Sequence, residues 1–178
     1  MKLTCVPHTS IGLLGTMVFL GWMLSSAIIP RLSDIYGRKR FFLGFHVLQV
    51  FSLLALMHVK DIFAAFFCLF CLGFSGVGRS PIVYIYMMEF LTPPYQKVAG
   101  PCFASAVAVC LAFGTFLLQY MTRDVSYIIY LSISISFVIM NLVYFLIPES
   151  PKYLHAMGRY EDSRQVLNLI ASVNGSAS

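Results

Sequence analysis

Five long apolar stretches, each between 17 and 27 residues, follow one another along this chain of 178 residues. A helix rises about 1.5 Å per residue, so about 20 apolar residues are needed to cross the roughly 30 Å hydrocarbon core of a bilayer. Backbone N–H and C=O groups in lipid must form hydrogen bonds within the protein. This requirement excludes an open sheet, because its edge strands leave such groups unpaired. The sequence therefore predicts an all-α membrane protein with five transmembrane helices. The predicted helices cover residues 11–29, 41–57, 62–88, 101–121 and 127–147.

The composition agrees with this prediction. Apolar residues make up 59% of the chain and charged residues 11%, against about 45–50% and 25% in soluble domains. Such a chain is neither disordered nor an ordinary cytosolic enzyme. Cys68 and Cys71 form a C-x-x-C pattern inside an uncharged run and are interpreted as packing residues. No histidine pair has a metal-ligand spacing. We expect no enzyme activity, no cofactor and no metal.

Basic residues are distributed unevenly between the two sides of the predicted bundle. Lys2, Lys60 and Arg123 fall on one side, and eight others fall on the opposite side. By the positive-inside rule, the side with eight faces the cytosol. We therefore expect a multi-pass protein of the plasma membrane with a cytosolic C-terminus. The eight cytosolic cations are Arg31, Arg38, Lys39, Arg40, Lys97, Lys152, Arg159 and Arg164.

The same orientation makes predictions about the two ends of the chain. Cys5 is expected outside and Ser178 inside, as an odd number of spans requires. The Asn174-Gly175-Ser176 sequon then lies on the cytosolic side and is expected to carry no glycan. A short external N-terminus with no preceding span also leads us to expect that a further helix precedes this segment in a longer chain.

Prolines and a charge are predicted to delimit the helices. Pro30 is expected to end the first helix, Arg79 and Pro81 to interrupt the third, and Pro148 to end the fifth. From Tyr160 onward an amphipathic helix is expected to lie at the cytosolic mouth of the bundle. Residues 1–147 would then form a partial transmembrane bundle, and residues 148–178 a cytosolic linker with that helix.

Small residues predict close helix packing, because helices in lipid associate through intimate contact. Gly73, Gly76 and Gly78 fall together in the third run. Small residues also recur every four positions in the fourth run, either as a packing stripe or by chance in an alanine-rich helix. That stripe comprises Gly100, Ala104, Ala108 and Ala112.

The connector at residues 31–39, Arg-Leu-Ser-Asp-Ile-Tyr-Gly-Arg-Lys, resembles the signature loop between the second and third helices of major facilitator superfamily transporters. Asp34, Gly37, Arg38 and Lys39 match that signature. The resemblance implies a charge cluster that latches two bundles at the cytosolic face and releases them. A basic loop with only a topogenic role is the alternative.

Two further segments are similar to the same family. Residues 148–154, Pro-Glu-Ser-Pro-Lys-Tyr-Leu, resemble the segment that follows the sixth helix in sugar porters and organic-ion transporters. Residues 84–89, with Lys97 and Gly100 downstream, are similar to an acidic-then-basic motif between the fourth and fifth helices. Lys97 stands where arginine is usual, which weakens bidentate pairing with Glu89. The resemblance implies these latch residues: Asp34, Gly37, Arg38, Lys39, Glu89, Lys97, Glu149 and Ser150.

This family has twelve helices in two bundles around a central cavity, and the five runs would correspond to its second to sixth helices. The resemblance implies a secondary active transporter of a small organic ion or sugar, working by alternating access. Its partners would be the lipid bilayer, the solute and the missing second bundle or a partner chain, with no nucleic acid. The alternative is a non-transporting membrane scaffold or a truncated remnant of a transporter gene.

Arg79 is the one basic residue inside a predicted span. Charges at such depth face the bundle interior or a water-filled cavity, and they often mark ligand sites. Helical spacing places Ser75, Arg79 and Tyr86 on one face, so these three are the candidate substrate-binding residues. The alternative is an arginine whose head snorkels to the cytosolic interface.

Overall fold

The computed structural model describes residues 8–121 and 124–173, and the regular elements of these two segments are all helices. Cys5, Arg123, Asn174 and Ser178 lie outside the described residues, as do the expectations made for them. A five-residue π-helical stretch, Leu117–Met121, extends the fifth helix. The helices are α1 His8–Tyr36, α2 Arg38–His58, α3 Ile62–Arg79, α4 Pro81–Phe90, α5 Pro93–Phe116, α6 Val125–Leu146, α7 Pro151–Ala156 and α8 Tyr160–Val173.

Five helical segments of 21 to 29 residues are long and apolar enough to cross a membrane. They are α1, α2, α3 together with α4, α5 with its π-helical extension, and α6. This confirms the predicted all-α membrane fold with five spans. The third span breaks at Ser80, and α4 starts at Pro81, whose ring nitrogen cannot donate a helical hydrogen bond. The interruption predicted at Arg79 and Pro81 is therefore confirmed.

The two largest differences from the predicted helix boundaries arise because proline acts differently at these sites. The prediction that Pro30 ends the first helix was wrong, since α1 continues through it to Tyr36. Ser33 Oγ donates to the Pro30 carbonyl at 2.8 Å within this final stretch. In the fourth span, α5 begins at Pro93, eight residues before the predicted start at 101. Proline in the first turn is favourable, because the N–H that it lacks has no helical partner there.

Glycines bring α1 and α3 together, backbone against backbone. A Cβ atom added to Gly73 would overlap the Val18 carbonyl, and one added to Gly21 would overlap the Phe70 carbonyl. Ser25 Oγ also donates to the Phe74 carbonyl across the same interface, at 2.7 Å. The packing role predicted for Gly73 is therefore confirmed.

The opposite side of α3 packs against α2. Gly78 leaves room for the Phe45 ring, which would overlap any Cβ at this position. Phe45 joins Ile29, Val77 and Ile82 in the buried core of the bundle. A Cβ added to Gly76 would meet no atom of the described residues within 4 Å, so the packing role predicted for Gly76 stays a prediction.

Helix α5 lies at the edge of the described bundle, and none of its residues is buried. Gly100 approaches α4, where an added Cβ would lie 3.2 Å from Tyr84 Oη. The other three members of the predicted stripe, Ala104, Ala108 and Ala112, are exposed. Within the described residues, the stripe therefore has a partner only at its first position.

The predicted helix after Tyr160 is present as α8, which packs on the short helix α7. Ser150 caps α7 by accepting from the Tyr153 backbone N–H at 3.4 Å. Gly158, with φ of 74°, makes the turn between the two helices. Ser163 Oγ on α8 then donates to the Pro151 carbonyl at 3.0 Å. The polar end of the chain is thus attached to the start of α7.

Candidate functional site

The residues of the family signature meet where α1 turns into α2. The connector at residues 31–39, which resembles a loop of the family, is helical apart from Gly37. Gly37 has φ of +104°, a conformation that residues with a side chain rarely adopt. Its N–H donates to the Ser33 carbonyl, and its carbonyl accepts from Phe41. One glycine therefore reverses the chain and leaves both flanking helices intact.

Arg38, the first residue of α2, lies between two carboxylates. Its Nη2 is 2.8 Å from Asp34 Oδ1 on α1, and its Nε is 2.7 Å from Glu89 Oε1 at the end of α4. The Arg38 and Glu89 side chains are 14% and 12% exposed, whereas Asp34 is 59% exposed. Water screens the Asp34 pair, so the ion pair between Arg38 and Glu89 is the stronger link.

Glu149 caps helix α2 from a distant part of the chain. Gly37 precedes α2 and has no side chain to cap it. Instead, Glu149 Oε1 accepts from the Lys39 backbone N–H at 3.1 Å and from the Ser150 N–H at 3.2 Å. A carboxylate at a helix N-terminus is also favoured by the helix dipole. A Cβ on Gly37 would lie 2.9 Å from Glu149 Oε2, so the glycine makes room for the cap.

Three further hydrogen bonds attach the end of α6 and the segment that follows it to helices α1, α2 and α4. Lys39 Nζ donates to the Tyr144 carbonyl at 2.9 Å, and Tyr153 Oη donates to the Ile35 carbonyl at 3.1 Å. Tyr86 Oη donates to the Pro148 carbonyl. We define the latch cluster, named for the role that the family resemblance implies, as Asp34, Gly37, Arg38, Lys39, Glu89, Glu149 and Ser150, which join the ends of α1, α2, α4 and α6.

Lys97, the remaining predicted latch residue, lies on the exposed side of α5. Within the described chain it has no carboxylate within ion-pair distance. Its neighbour Gln96, in contrast, connects α5 to α4. The Gln96 side-chain amide donates to the Met88 and Leu91 carbonyls, at 2.9 Å each, and fastens α5 to the end of α4.

Sequence reasoning did not single out several residues that complete this site. The side chains of Gln96 and Tyr153 donate to backbone carbonyls, and Tyr144 accepts through its own backbone carbonyl. Such contacts depend on which chain segments become neighbours, and no spacing rule encodes them. A polar residue beside the end of a helix, as at Gln96, was the one signal that could have pointed to a cap.

Of the candidate substrate-binding residues, Arg79 and Tyr86 lie in the half of the third span nearer to the latch cluster, and Ser75 lies next to its midpoint. Arg79 is partly exposed, and its Nε is buried without a hydrogen-bond acceptor among the described residues. Ser75 is fully buried and its hydroxyl donates to the Leu72 carbonyl at 2.7 Å. Tyr86 is buried as well, and its hydroxyl is bonded as described above.

A buried polar contact joins α2 and α6 on the same side of the bundle as His46. Ser136 Oγ donates to Gln49 Oε1 at 3.4 Å, and both side chains are buried. His46 is 5% exposed, and its Nδ1 lies 3.1 Å from the Phe42 carbonyl. Polar groups are costly in a bilayer unless they are paired, so this interface keeps them inside the bundle.

Comparison with known proteins gives a consistent result. The sequence model of a family described as Major Facilitator Superfamily matches residues 2–171. The chain is similar to synaptic vesicle glycoprotein 2B of Homo sapiens, at 28% identity over 191 residues that include 96% of this chain and 27% of that protein. It is similar to organic cation/carnitine transporter 2 of Mus musculus, at 28% identity over 183 residues, with 97% and 31% covered. Solute carrier family 22 member 21 of Mus musculus is 28% identical over 185 residues, with 97% and 30% covered. The chain spans less than a third of the length of these relatives.

Proposed function

The chain belongs to the major facilitator superfamily, and from that membership we propose that it forms part of a secondary transporter that moves a small organic solute by alternating access. The match of the family model to residues 2–171 confirms, at the level of the superfamily, the resemblance argued from three sequence motifs. One relative is named as a transporter of organic cations and carnitine. That name supports an organic ion as the solute, with a sugar as the second candidate.

The latch cluster is the observation that carries this proposal. Arg38 links α1 to α4, and Glu149 links the end of α6 to the start of α2. These bonds unite four spans at one end, so the bundle can move there as one body. Asp34 and Lys97 remain exposed at the same end. They are available to pair with a second bundle or a partner chain in one state and to release it in the other.

We also propose that this end faces the cytosol, with the C-terminus inside and the plasma membrane as the location. The eight cations named above belong to the ends and connectors on this side. Their excess over the opposite side supports the orientation through the positive-inside rule.

Arg79 is proposed to contact an anionic group of the solute, with Ser75 and Tyr86 on the same helical face. Its buried, unpartnered Nε among the described residues supports this role, because an unpaired donor is expensive in lipid. Ser75 and Tyr86 already bond to backbone carbonyls, so their contribution is to hold this face in place. Snorkelling of Arg79 to the cytosolic interface is the competing role.

The latch proposal predicts that Asp34→Asn lowers transport more than it lowers surface expression. The change removes the charge and keeps the size of the side chain, so the fold is retained while an exposed pairing group is lost. Uptake of radiolabelled organic cations, carnitine and hexoses is measured in cells that express a protein containing both bundles. We expect at least a tenfold loss of initial rate at equal surface expression.

Asp61→Asn is the matched control, since Asp61 precedes α3 at the opposite end and its side chain caps no helix. We expect this variant to transport normally. Equal uptake by Asp34→Asn and the unmodified protein would leave Asp34 with a topogenic role only. Absence of uptake for every solute, with correct surface expression, would favour the non-transporting scaffold.

The substrate proposal predicts that Arg79→Ala abolishes uptake and that Arg79→Lys retains part of it, because lysine keeps the charge and loses the fork of donors. Uptake of an anionic or zwitterionic solute is compared with uptake of a purely cationic one. Normal transport by Arg79→Ala with unchanged solute preference would make Arg79 an interface anchor.

A further inference from the structure

Two concave regions meet at Arg40, near the start of α2. The first has a volume of about 680 Å³ and lies between the start of α2, the end of α6 and the pair α7–α8. The second has a volume of about 320 Å³ and follows α2 into its membrane span, along Phe41, Gly44 and Leu48. Arg40 lines both regions, so they lie side by side at the start of α2, one at the helix ends and the other along the span.

The first region presents cations that lack a carboxylate partner. Its two acidic side chains are already bonded, since Glu149 accepts from two backbone N–H groups and Asp162 pairs with Arg159 at 2.7 Å. Lys39 donates to a neutral carbonyl. Arg40 is exposed and has no ion pair within the described residues. The region therefore favours an anion at Lys39 and Arg40.

The second region is apolar and includes a glycine. A Cβ on Gly44 would meet no described atom within 4 Å, so the surface of α2 is open at this position. Phe41, Phe45 and Leu48 form the walls of the region. An apolar region of this kind, inside a transmembrane span, suits a hydrocarbon chain.

We infer that these two regions bind one anionic phospholipid, with its phosphate at Lys39 and Arg40 and an acyl chain beside Gly44. The order of a polar region at the helix ends and an apolar one within the span matches a phospholipid standing in a leaflet. Basic pockets between transmembrane helices on the cytosolic side are suited to acidic headgroups. In the proposed orientation the lipid belongs to the cytosolic leaflet, which carries most of the anionic lipid.

Photo-crosslinking tests this site on the whole chain. The 178-residue protein is placed in phosphatidylcholine nanodiscs that contain a small fraction of phosphatidylserine with a diazirine in its acyl chain, and labelled peptides are mapped by mass spectrometry. We expect labels to concentrate at residues 41–48. Unlabelled phosphatidylserine should displace the probe, whereas additional phosphatidylcholine should not.

Two pairs of variants separate the headgroup from the chain. Arg40→Gln should lower labelling at least fivefold, while Arg31→Gln, an exposed cation at the same end but outside both regions, should leave it unchanged. Gly44→Leu places a side chain in this region, where an added Cβ meets no described atom, and should lower labelling by a similar factor. Gly15→Leu on α1, where an added Cβ also meets no described atom, is its control.

The inference fails under any of three results. Equal losses in Arg40→Gln and Arg31→Gln would reveal only general attraction to an acidic surface. Competition by phosphatidylcholine equal to that by phosphatidylserine would exclude an anion site. Displacement of the probe by soluble glycerophosphoserine as effectively as by the lipid would indicate a site for a soluble anion. Circular dichroism of each variant verifies its fold, and Gly44→Leu tests the site without altering any charge.

Discussion

Arg38 contacts two carboxylates that differ in their environment, and this difference separates stability from function at the scale of single residues. Glu89 is nearly buried and bonded at 2.7 Å, so its charge cannot be compensated by water if the pair breaks. Asp34 is more than half exposed and water can replace Arg38 there. We therefore expect Glu89 to hold the bundle together and Asp34 to contribute little to its stability.

This difference predicts that Glu89→Gln lowers the free energy of unfolding by about 3 kcal/mol, the cost of leaving one member of a buried pair without its partner. Asp34→Asn should lower it by less than about 1 kcal/mol, as is typical of exposed pairs. Reversible unfolding in mixed micelles with increasing sodium dodecyl sulfate measures both. Equal losses of unfolding free energy in the two variants would show that Arg38 interacts equally strongly with both carboxylates.

At the scale of elements, glycine has two distinct uses in α3, and only neighbouring backbone distinguishes them. Gly73 lies against the Val18 carbonyl of α1, whereas Gly76 faces open space one turn further on. Both positions look alike in sequence, because each is a glycine in the same apolar run. The presence of a facing backbone decides which of them is indispensable.

We expect Gly73→Ala to destabilise the bundle by about 1–3 kcal/mol, because the added methyl group forces two backbones apart. Gly76→Ala should have no cost or stabilise by up to about 1 kcal/mol, since alanine is the better helix former. The same micelle titration compares the two. Similar effects of the two substitutions would mean that α1 and α3 are separated by more than the structure shows.

Hydropathy and length were sufficient to predict the spans, because the bilayer imposes one simple requirement on each of them. The break near Pro81 was also predictable, because the N–H that proline lacks is a local property of that residue. Pro30 was not, since a proline late in a helix removes a single hydrogen bond and the remainder of α1 tolerates it. Local rules therefore located the elements better than their ends.

The partners within the candidate site were predictable only where they are close in sequence. Asp34 and Arg38 are only four positions apart, on either side of the turn at Gly37, so their pairing was predictable from the sequence. The contact of Glu149 with the start of α2 joins residues 110 positions apart and depends on how α6 packs. Tyr86 shows the same limit, because its bond to Pro148 arises from the course of the chain after α6.

At the scale of the whole molecule, the uneven distribution of charge predicts the topology. A tag fused after Ser178 should be protected from a membrane-impermeant reagent on intact cells and become labelled after permeabilisation. Cys5 should show the opposite behaviour in a variant without the other cysteines. Labelling of the C-terminal tag on intact cells would reverse the proposed orientation.

Treatment of the protein with a glycosidase tests the same orientation without a tag. Asn174 is expected to carry no glycan, because the transferase acts on the other side of the membrane. The expected result is an unchanged electrophoretic mobility after treatment. A mass shift that disappears in Asn174→Gln would contradict the cytosolic assignment of this segment.

The cap that Glu149 places on α2 also has a consequence for the order of events during synthesis. The Lys39 N–H leaves the ribosome 110 residues before its acceptor does. At about 5–20 residues per second, this interval lasts roughly 5 to 20 s. Helix α2 therefore enters the membrane with its first turn uncapped, and the ends of the helices are joined only after α6 has been inserted. Mutations at Glu149 should consequently act late, on the maturation of an already inserted chain.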